Sequence, residues 1–475
     1  MNPLEWTLLA LITVGAAAAA GHALLSKRDP RAALGWIAVC LMFPAAGPVF
    51  YFLFGINRIR TRARKLQLPP GAPPQRFLAA PDATRELTYK DVAADYRQLA
   101  RISDAITGRP LVRGNSVELL HSGEQAYPSM LAAVGAAERT VYLATYIFES
   151  NHTGLRFVDA LAAAKARGVR VRVLVDGIGE LYSLPRIGAV LRKQAVPAAR
   201  FLPPRLLPPA VHVNLRNHRK LLVVDGRIGF TGGMNIGDRH LADHGDNPGR
   251  VVDAHFRLEG PIVGQMERVF IDDWSFAAGE WLDASVPGDQ MCGTAICRSI
   301  VDGPDDDMDR LATILIGAAA VAQRRIRIMT PYFLPPPGLY AALQAAALRG
   351  VEVLLILPGR NNLPYVQWAT RHILGELLRW GVRVYYHPAP FVHTKLFVVD
   401  DHYAQIGSAN LDPRSLRLNF ELGVEVYDTR FAGTLAAHFD EVCGRSTQLG
   451  LADLQSLPLL TRVRDATAWL FSPYL

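Results

Sequence analysis

The chain is 475 residues long, half of it hydrophobic and 20% charged, with a formal net charge of +8. That length allows about three domains and a sizeable core, and the basic balance favours anionic partners: nucleic acid, acidic lipid headgroups or phosphorylated substrates. The four cysteines, Cys40, Cys292, Cys297 and Cys443, are too scattered for a disulfide framework and fit a reducing compartment.

Trp6 to Leu25 is a run of 20 residues without a charge, and a second uncharged run spans Ala32 to Asn57. Each is long enough to cross about 30 Å of hydrocarbon as a helix. Pro44, Gly47 and Pro48 are expected to kink the second run or turn it back. Together they make residues 1–57 a membrane-anchoring segment, with apolar stretches at about 6–25 and 32–57. Arg58, Arg60, Arg62, Arg64 and Lys65 follow. Under the positive-inside bias this collar puts the rest of the chain in the cytoplasm, behind a membrane crossed more than once, and it suits anionic headgroups. Residues 66–81, rich in proline, read as a linker, and 82–108 as a helix joining collar to globular part.

The remainder contains one pattern twice. Thr140–Phe148, an Ala-rich stretch and Arg167–Val175 read strand, helix, strand; so do Ile326–Phe333, another Ala-rich stretch and Arg349–Leu357. The strands are continuous Val/Ile/Leu runs, as in a sheet covered on both faces, and both helices stop at Arg-Gly. The fold class is therefore α/β, with two homologous α/β/α halves at 109–286 and 287–475 forming one pseudo-symmetric unit.

Each half then carries one short signature. The first is His218-Arg-Lys220-Leu-Leu-Val-Val-Asp225, followed by Gly232-Gly233-Met-Asn235; the second is His393-Thr-Lys395-Leu-Phe-Val-Val-Asp400, followed by Gly407-Ser408-Ala-Asn410. The spacing is the same in both. Residues i and i+2 of a strand share a face, so His and Lys are expected side by side. Asp225 and Asp400 close the motifs and are grouped with them, as anchors of the catalytic strands rather than acids in the reaction. Gly233 and Ser408 are small enough to let a ligand approach the backbone, and Asn235 and Asn410 could donate to a phosphate oxygen. A neutral imidazole can attack phosphorus, an imidazolium can protonate a leaving alkoxide, and a lysine can offset phosphate charge. Glu421, in Asn419-Phe-Glu421, is expected to hold the far nitrogen of His393, with Asp253 in the corresponding place for His218.

With these residues in view, the chain resembles the phospholipase D superfamily. Within it, KRDPRAALGW…YFLFGINR, NHRKLLVVDGRIGFTGGMNIGDRH and RSLRLNFELGVEVYD resemble bacterial cardiolipin synthases over essentially the whole chain. The resemblance implies a phosphatidyltransferase: two phosphatidylglycerol molecules give cardiolipin and glycerol through a phosphatidyl-histidine, without a metal or other cofactor. It also favours His218 as nucleophile and His393 as acid. Val-Val-Asp253 departs from the family's Trp-Arg-Asp. The alternative is a phospholipase D-type hydrolase with water as acceptor. The expected partners are phosphatidylglycerol, other anionic phospholipids and the bilayer, not nucleic acid.

Other residues are given lesser parts. His240, Asp243, His244, Asp246 and His255 match no standard zinc spacing and read as a polar loop, solvated or close to the substrate. Tyr146 and Tyr332 sit at equivalent strand ends, lining a pocket or packing a core. Asp302, Asp305, Asp306, Asp307 and Asp309 read as an acidic run in a solvated loop or at a helix N-terminus.

Overall fold

A computed structural model describes residues 2–27, 30–56, 89–204, 215–243, 245, 247, 249–285, 291–304 and 309–472. The basic collar, the proline-rich linker, residues 82–88, His244, Asp246 and Asp305–Asp307 lie outside the described residues. The chain divides into two compact units, 1–71 and 72–475.

In the first unit, Pro3–Ser26 is one helix of 24 residues, capped by Asn2, whose side chain accepts from the Glu5 N–H. It is long and apolar enough to cross a membrane, with a mean hydropathy of 2.0 over its best window. The second run does not form the expected second span. Its helix Pro30–Met42 has 13 residues, about 20 Å at 1.5 Å each, and stops ahead of Pro44. A five-residue helix, Ala46–Phe50, and a wide turn, Tyr51–Gly55, follow. The piece folds onto the first helix: the Tyr51 hydroxyl lies 2.8 Å from His22 Nδ1, and Lys27 Nζ donates to the Gly55 carbonyl at 2.5 Å. Gly47 makes the return possible, since a Cβ there would stand 2.4 Å from the Val39 carbonyl oxygen.

Among the described residues, the second unit is built on seventeen strands. The first half supplies β1 (Val112–His121), β2 (Thr140–Thr145), β3 (Arg170–Asp176), β4 (Ala198–Phe201), β5 (Leu221–Val224), β6 (Ile228–Gly232), β7 (Val251–Val252) and β8 (Ala254–Glu259). The second supplies β9 (Ala295–Asp302), β10 (Arg325–Met329), β11 (Glu352–Pro358), β12 (Arg383–His387), β13 (Phe391–Val392), β14 (Leu396–Val399), β15 (Tyr403–Gly407), β16 (Glu421–Tyr427) and β17 (Thr447–Leu449). Fifteen of them form one sheet in the order β17-β12-β11-β10-β14-β15-β16-β9-β1-β8-β6-β5-β2-β3-β4. The order reads the same from either end of its centre, where β1 and β9 pair antiparallel, apart from the extra edge strand β17. This is the pseudo-twofold that the repeated sequence predicts.

The parallel pairs of the strand–helix–strand units, β2–β3 and β10–β11, lie toward the edges, while the middle of the sheet is antiparallel. The sheet is thus mixed, because each motif strand turns back as a hairpin instead of crossing over by a helix. The helices of the two repeats, His152–Ala166 and Pro337–Leu348, both end at Arg-Gly, with Gly168 and Gly350 left-handed at φ 93° and 89°. Helices Ile262–Ala278 and Thr429–Gly444 follow β8 and β16 and pack on the sheet in matching places. Each half buries its own apolar cluster, one around Val141, Leu161 and Val173, the other around Ile326, Leu343 and Val353. None of the four cysteines forms a disulfide, and Asp302, expected in a solvated loop or helix N-terminus, is buried at the end of β9.

Candidate active site

The two signatures come to lie in the same place in each half. His218 to Lys220 and His393 to Lys395 are the residues just ahead of β5 and β14, not within those strands. The lysine still doubles back onto its histidine: Lys220 Nζ donates to the His218 carbonyl at 2.6 Å, and Lys395 Nζ to the His393 carbonyl at 2.5 Å. Four buried residues later each strand ends at its aspartate. Asp225 and Asp400 take left-handed conformations, with φ of 53° and 51°, and start three-residue turns into β6 and β15.

The aspartates are therefore a strand length from the histidines and do not join the reacting groups. The Asp225 carboxylate accepts the backbone N–H groups of Glu138, Arg139 and Thr140 at 2.9, 2.7 and 2.7 Å. Asp400 does the same for Gln323, Arg324 and Arg325 and also accepts from the Tyr96 hydroxyl at 2.9 Å. Each pins the start of the strand beside it.

The carboxylates that hold the histidines cross between the halves, opposite to the expected pairing. His218 Nδ1 sits 2.9 and 3.0 Å from the two oxygens of Glu421, and His393 Nδ1 sits 2.8 Å from Asp253. Short parallel pairings between the halves cause the exchange. On one side Asn217 bridges Phe420, and the His218 N–H donates to the Phe420 carbonyl at 2.9 Å. On the other, β7 pairs with β13, and the His393 N–H donates to the Val252 carbonyl at 2.8 Å. Val251 and Val252, where the resembled family has Trp-Arg, thus deliver Asp253 to His393.

Gly233 and Ser408 serve these carboxylates rather than a ligand. Ser408 Oγ donates to Glu421 at 2.5 Å, whereas a Cβ at Gly233 would stand 2.3 Å from Asp253 Oδ1. Asn235 Oδ1 accepts from the Ile147 N–H at 3.1 Å, which fixes its amide and leaves its NH2 without a protein partner among the described residues. Asn410 is also buried, with its Oδ1 unpartnered.

With Nδ1 engaged, each imidazole can offer only Nε2 to a substrate. Burial holds both rings neutral: it lowers His218 to about 4 against the opposing pull of Glu421, and His393 to about 4 with Lys395 adding to it. Burial also brings Lys220 down to about 7 and Lys395 to about 8. For the carboxyls burial acts upward and is outweighed. Lys395 and His393 hold Asp253 well below the usual range, and His218 and Lys220 bring Glu421 to about 2. Lys395 acts on His218, and Lys220 on His393, so the two motifs share one electrostatic site.

Tyr146 and Tyr332 line this site: their rings lie 5.3 Å from His218 and 6.5 Å from His393, edge to face. His240 and His255 are buried near Asp253, with His240 Nε2 accepting the Asn235 N–H at 3.3 Å, so neither belongs to a solvated loop. Among the described residues no three His, Cys, Asp or Glu side chains stand together as a metal site.

Two His–Lys pairs, each histidine braced by a carboxylate and related by a pseudo-twofold, define a phospholipase D superfamily enzyme. The family model for the cardiolipin synthase, PLD-like domain matches residues 130–274 and 315–443, and the phospholipase D-nuclease N-terminal model matches 14–55. The chain belongs to the cardiolipin synthase family of that superfamily. It is 31% identical to the major cardiolipin synthase of Bacillus subtilis (strain 168), over 94% of this chain and 95% of that protein. It is also 31% identical to cardiolipin synthase A of Pseudomonas putida, over 98% and 97% of the two chains. In fold it is similar to the crystal structure of phosphatidylserine synthase from Haemophilus influenzae Rd KW20, with a TM-score of 0.59, 16% identity, and 80% of this chain and all of that one covered. The family and the apolar helix Pro3–Ser26 make it a membrane-associated protein acting on phospholipid.

Proposed function

We propose that the chain is a cardiolipin synthase, transferring a phosphatidyl group from one phosphatidylglycerol to another. The observation that carries this reading is the pair of partly exposed histidines whose Nδ1 atoms are taken by carboxylates, leaving two Nε2 atoms and two lysines for one phosphodiester. In the first step His218 Nε2 attacks phosphorus, the P–N bond forms, and the P–O bond to the headgroup glycerol breaks. His393, which takes up a proton from solvent at Nε2 when the phosphodiester anion binds beside it, gives that proton to the departing oxygen, and glycerol leaves. In the second step a terminal hydroxyl of another phosphatidylglycerol gives its proton to His393. Its oxygen attacks phosphorus, the P–N bond breaks, and cardiolipin is released with His218 restored.

The order of roles is supported by the carboxylates. Glu421 also accepts from Ser408 and, at 3.4 Å, from Asn419, so less of its charge is available to His218, which suits a neutral nucleophile. Among the described residues the Asp253 carboxylate accepts the Ala254 N–H, at 2.8 Å, besides facing His393, leaving more charge to support an imidazolium. The bound phosphodiester anion raises the proton affinity of His393 further. Lys220, Lys395 and the amides of Asn235 and Asn410 face the phosphate charge. Helix Pro3–Ser26 anchors the protein, and Lys27, Arg28, Arg31 and the collar put the catalytic unit on the cytoplasmic side.

Product analysis with labelled phosphatidylglycerol tests the reading. Cardiolipin and glycerol in equal amounts are expected; phosphatidic acid as the main lipid product would make the enzyme a hydrolase. On a nitrophenyl phosphodiester, which needs no acid for its leaving group, His393→Ala keeps the burst of nitrophenolate and His218→Ala loses it. The opposite pattern reverses the roles.

A further inference from the structure

The last helix, Leu459–Leu470, has two dissimilar faces. One is buried against helix Pro364–Arg379: Asp465 pairs with Arg371, and Trp469 stacks with His372 at 5.0 Å. The other carries Leu459, Val463, Ala466 and Leu470, spaced i, i+4, i+7 and i+11, a single apolar stripe. A stripe of that spacing ordinarily turns inward, yet Leu459, Val463 and Leu470 are 72%, 53% and 68% exposed, with Phe471 continuing it at 57%.

The stripe runs toward the active site. Trp469 packs in the same apolar cluster as Leu363, Val366 and Tyr332, the tyrosine beside His393. Across the site, the loop after β3 exposes Leu181, Tyr182 and, at 86%, Leu184, and Tyr182 stands against Tyr146, the tyrosine beside His218. One exposed patch thus adjoins the tyrosine of His218 and the other the tyrosine of His393, the two histidines of the site. Arg186, Arg360 and Arg462 are exposed beside them. Apolar side chains, tyrosines and arginines around the mouth of a lipid-cleaving site are the make-up of a surface that lies in the interface of an anionic bilayer.

We propose that the Leu459–Phe471 stripe and the Leu181–Leu184 loop form a bilayer-docking rim, which seats the opening in the headgroup layer so that phosphatidylglycerol reaches the histidines without leaving the membrane. The proposal rests on the phosphatidyl-transfer reading, and its test separates the two. The full-length protein, reconstituted in phosphatidylglycerol vesicles, is compared with Val463→Asp/Leu470→Asp and with the conservative Val463→Leu/Leu470→Met. Each is assayed on vesicle lipid and on a water-soluble nitrophenyl phosphodiester. Removing two apolar side chains from the interface lowers turnover of vesicle lipid about tenfold or more. The soluble substrate is turned over unchanged, and the conservative variant matches wild type. Equal rates on vesicle lipid, or equal losses on both substrates, overturn the rim and leave the transfer reading intact. A change in sedimentation from dimer to monomer in the aspartate variant overturns it in favour of a second copy on this face. Wild-type protein that makes no cardiolipin overturns the transfer reading itself.

Discussion

The crossed bracing of the histidines pairs each carboxylate variant with the histidine of the other half. Glu421→Gln keeps the size of the side chain but removes the charge facing His218 Nδ1 at 2.9 and 3.0 Å. A hydrogen bond to a charged partner contributes about 1.5–3 kcal/mol, so its loss costs about 10- to 100-fold in the step that uses that histidine. Asp253→Asn does the same to His393. The assay is a stopped-flow burst on the nitrophenyl phosphodiester, run beside steady-state transfer from phosphatidylglycerol. Glu421→Gln is expected to copy the pattern of His218→Ala in weaker form, slowing the burst itself. Asp253→Asn is expected to copy His393→Ala, sparing the burst and slowing transfer. If Glu421→Gln instead follows His393→Ala, each histidine is braced from within its own half and the geometry argued here is wrong.

The site also fixes responses to pH and to a distant mutation. With His218 lowered to about 4 by burial, its ring is neutral above that pH, so the acid limb of kcat/KM lies near pH 4 rather than near the usual imidazole value; a limb at about 6.5 would refute the burial argument. The alkaline fall begins with His393, the acid, whose free ring is also lowered to about 4, and steepens as Lys220, lowered to about 7, loses its charge. The lowered histidines also make the fold acid-sensitive. The unfolded rings take protons that the folded ones refuse, so the urea midpoint falls as pH drops from about 6.5 toward 4. Asp225→Ala strands three backbone N–H groups and costs about 2–4 kcal/mol of stability. Its kcat per folded molecule stays at the wild-type value, and a specific loss of kcat would return Asp225 to the reacting groups.

Local chemistry is what the sequence made legible. The Arg-Gly helix stops, the Asp-Gly and Asp-Asp turns and the apolar strands all act over a few residues, and their repetition in matching order implied the pseudo-twofold. The uncharged length of the second run implies a crossing while Pro44, Gly47 and Pro48 imply a kink or return, and it is the prolines and glycine that decide the structure, ending the helix at Met42. The bracing of the histidines was misread. Glu421 and Asp253 are placed equivalently in the two halves, so nothing in the spacing tells a carboxylate that stays home from one that crosses. That choice is made by the Asn217–Phe420 bridge and the β7–β13 pair, contacts between segments remote in sequence. Tyr146 and Tyr332 were left between core and pocket because a strand end satisfies both until the facing histidine is placed.

Gly233 connects the misread bracing to a difference the motifs do show. One half has Gly233 before Asp253, the other Ser408 before Glu421, and the pairs are matched. Glu421 is one methylene longer and receives the serine hydroxyl at 2.5 Å, while Asp253 fills the space a side chain at 233 would need. Gly233 is not in a left-handed conformation, so the only obstacle to alanine is its Cβ, 2.3 Å from Asp253 Oδ1. Real contacts of that kind do not occur, so the carboxylate must move, and its 2.8 Å bond to His393 goes with it. Gly233→Ala is therefore expected to behave as Asp253→Asn does, losing about 10- to 100-fold in transfer while keeping the nitrophenolate burst. The double variant Gly233→Ser/Asp253→Glu rebuilds in the first half the arrangement found in the second. It should recover most of the activity that either change alone removes. Two single losses that simply add in the double variant would mean that Gly233 and Asp253 are not coupled through the space they share.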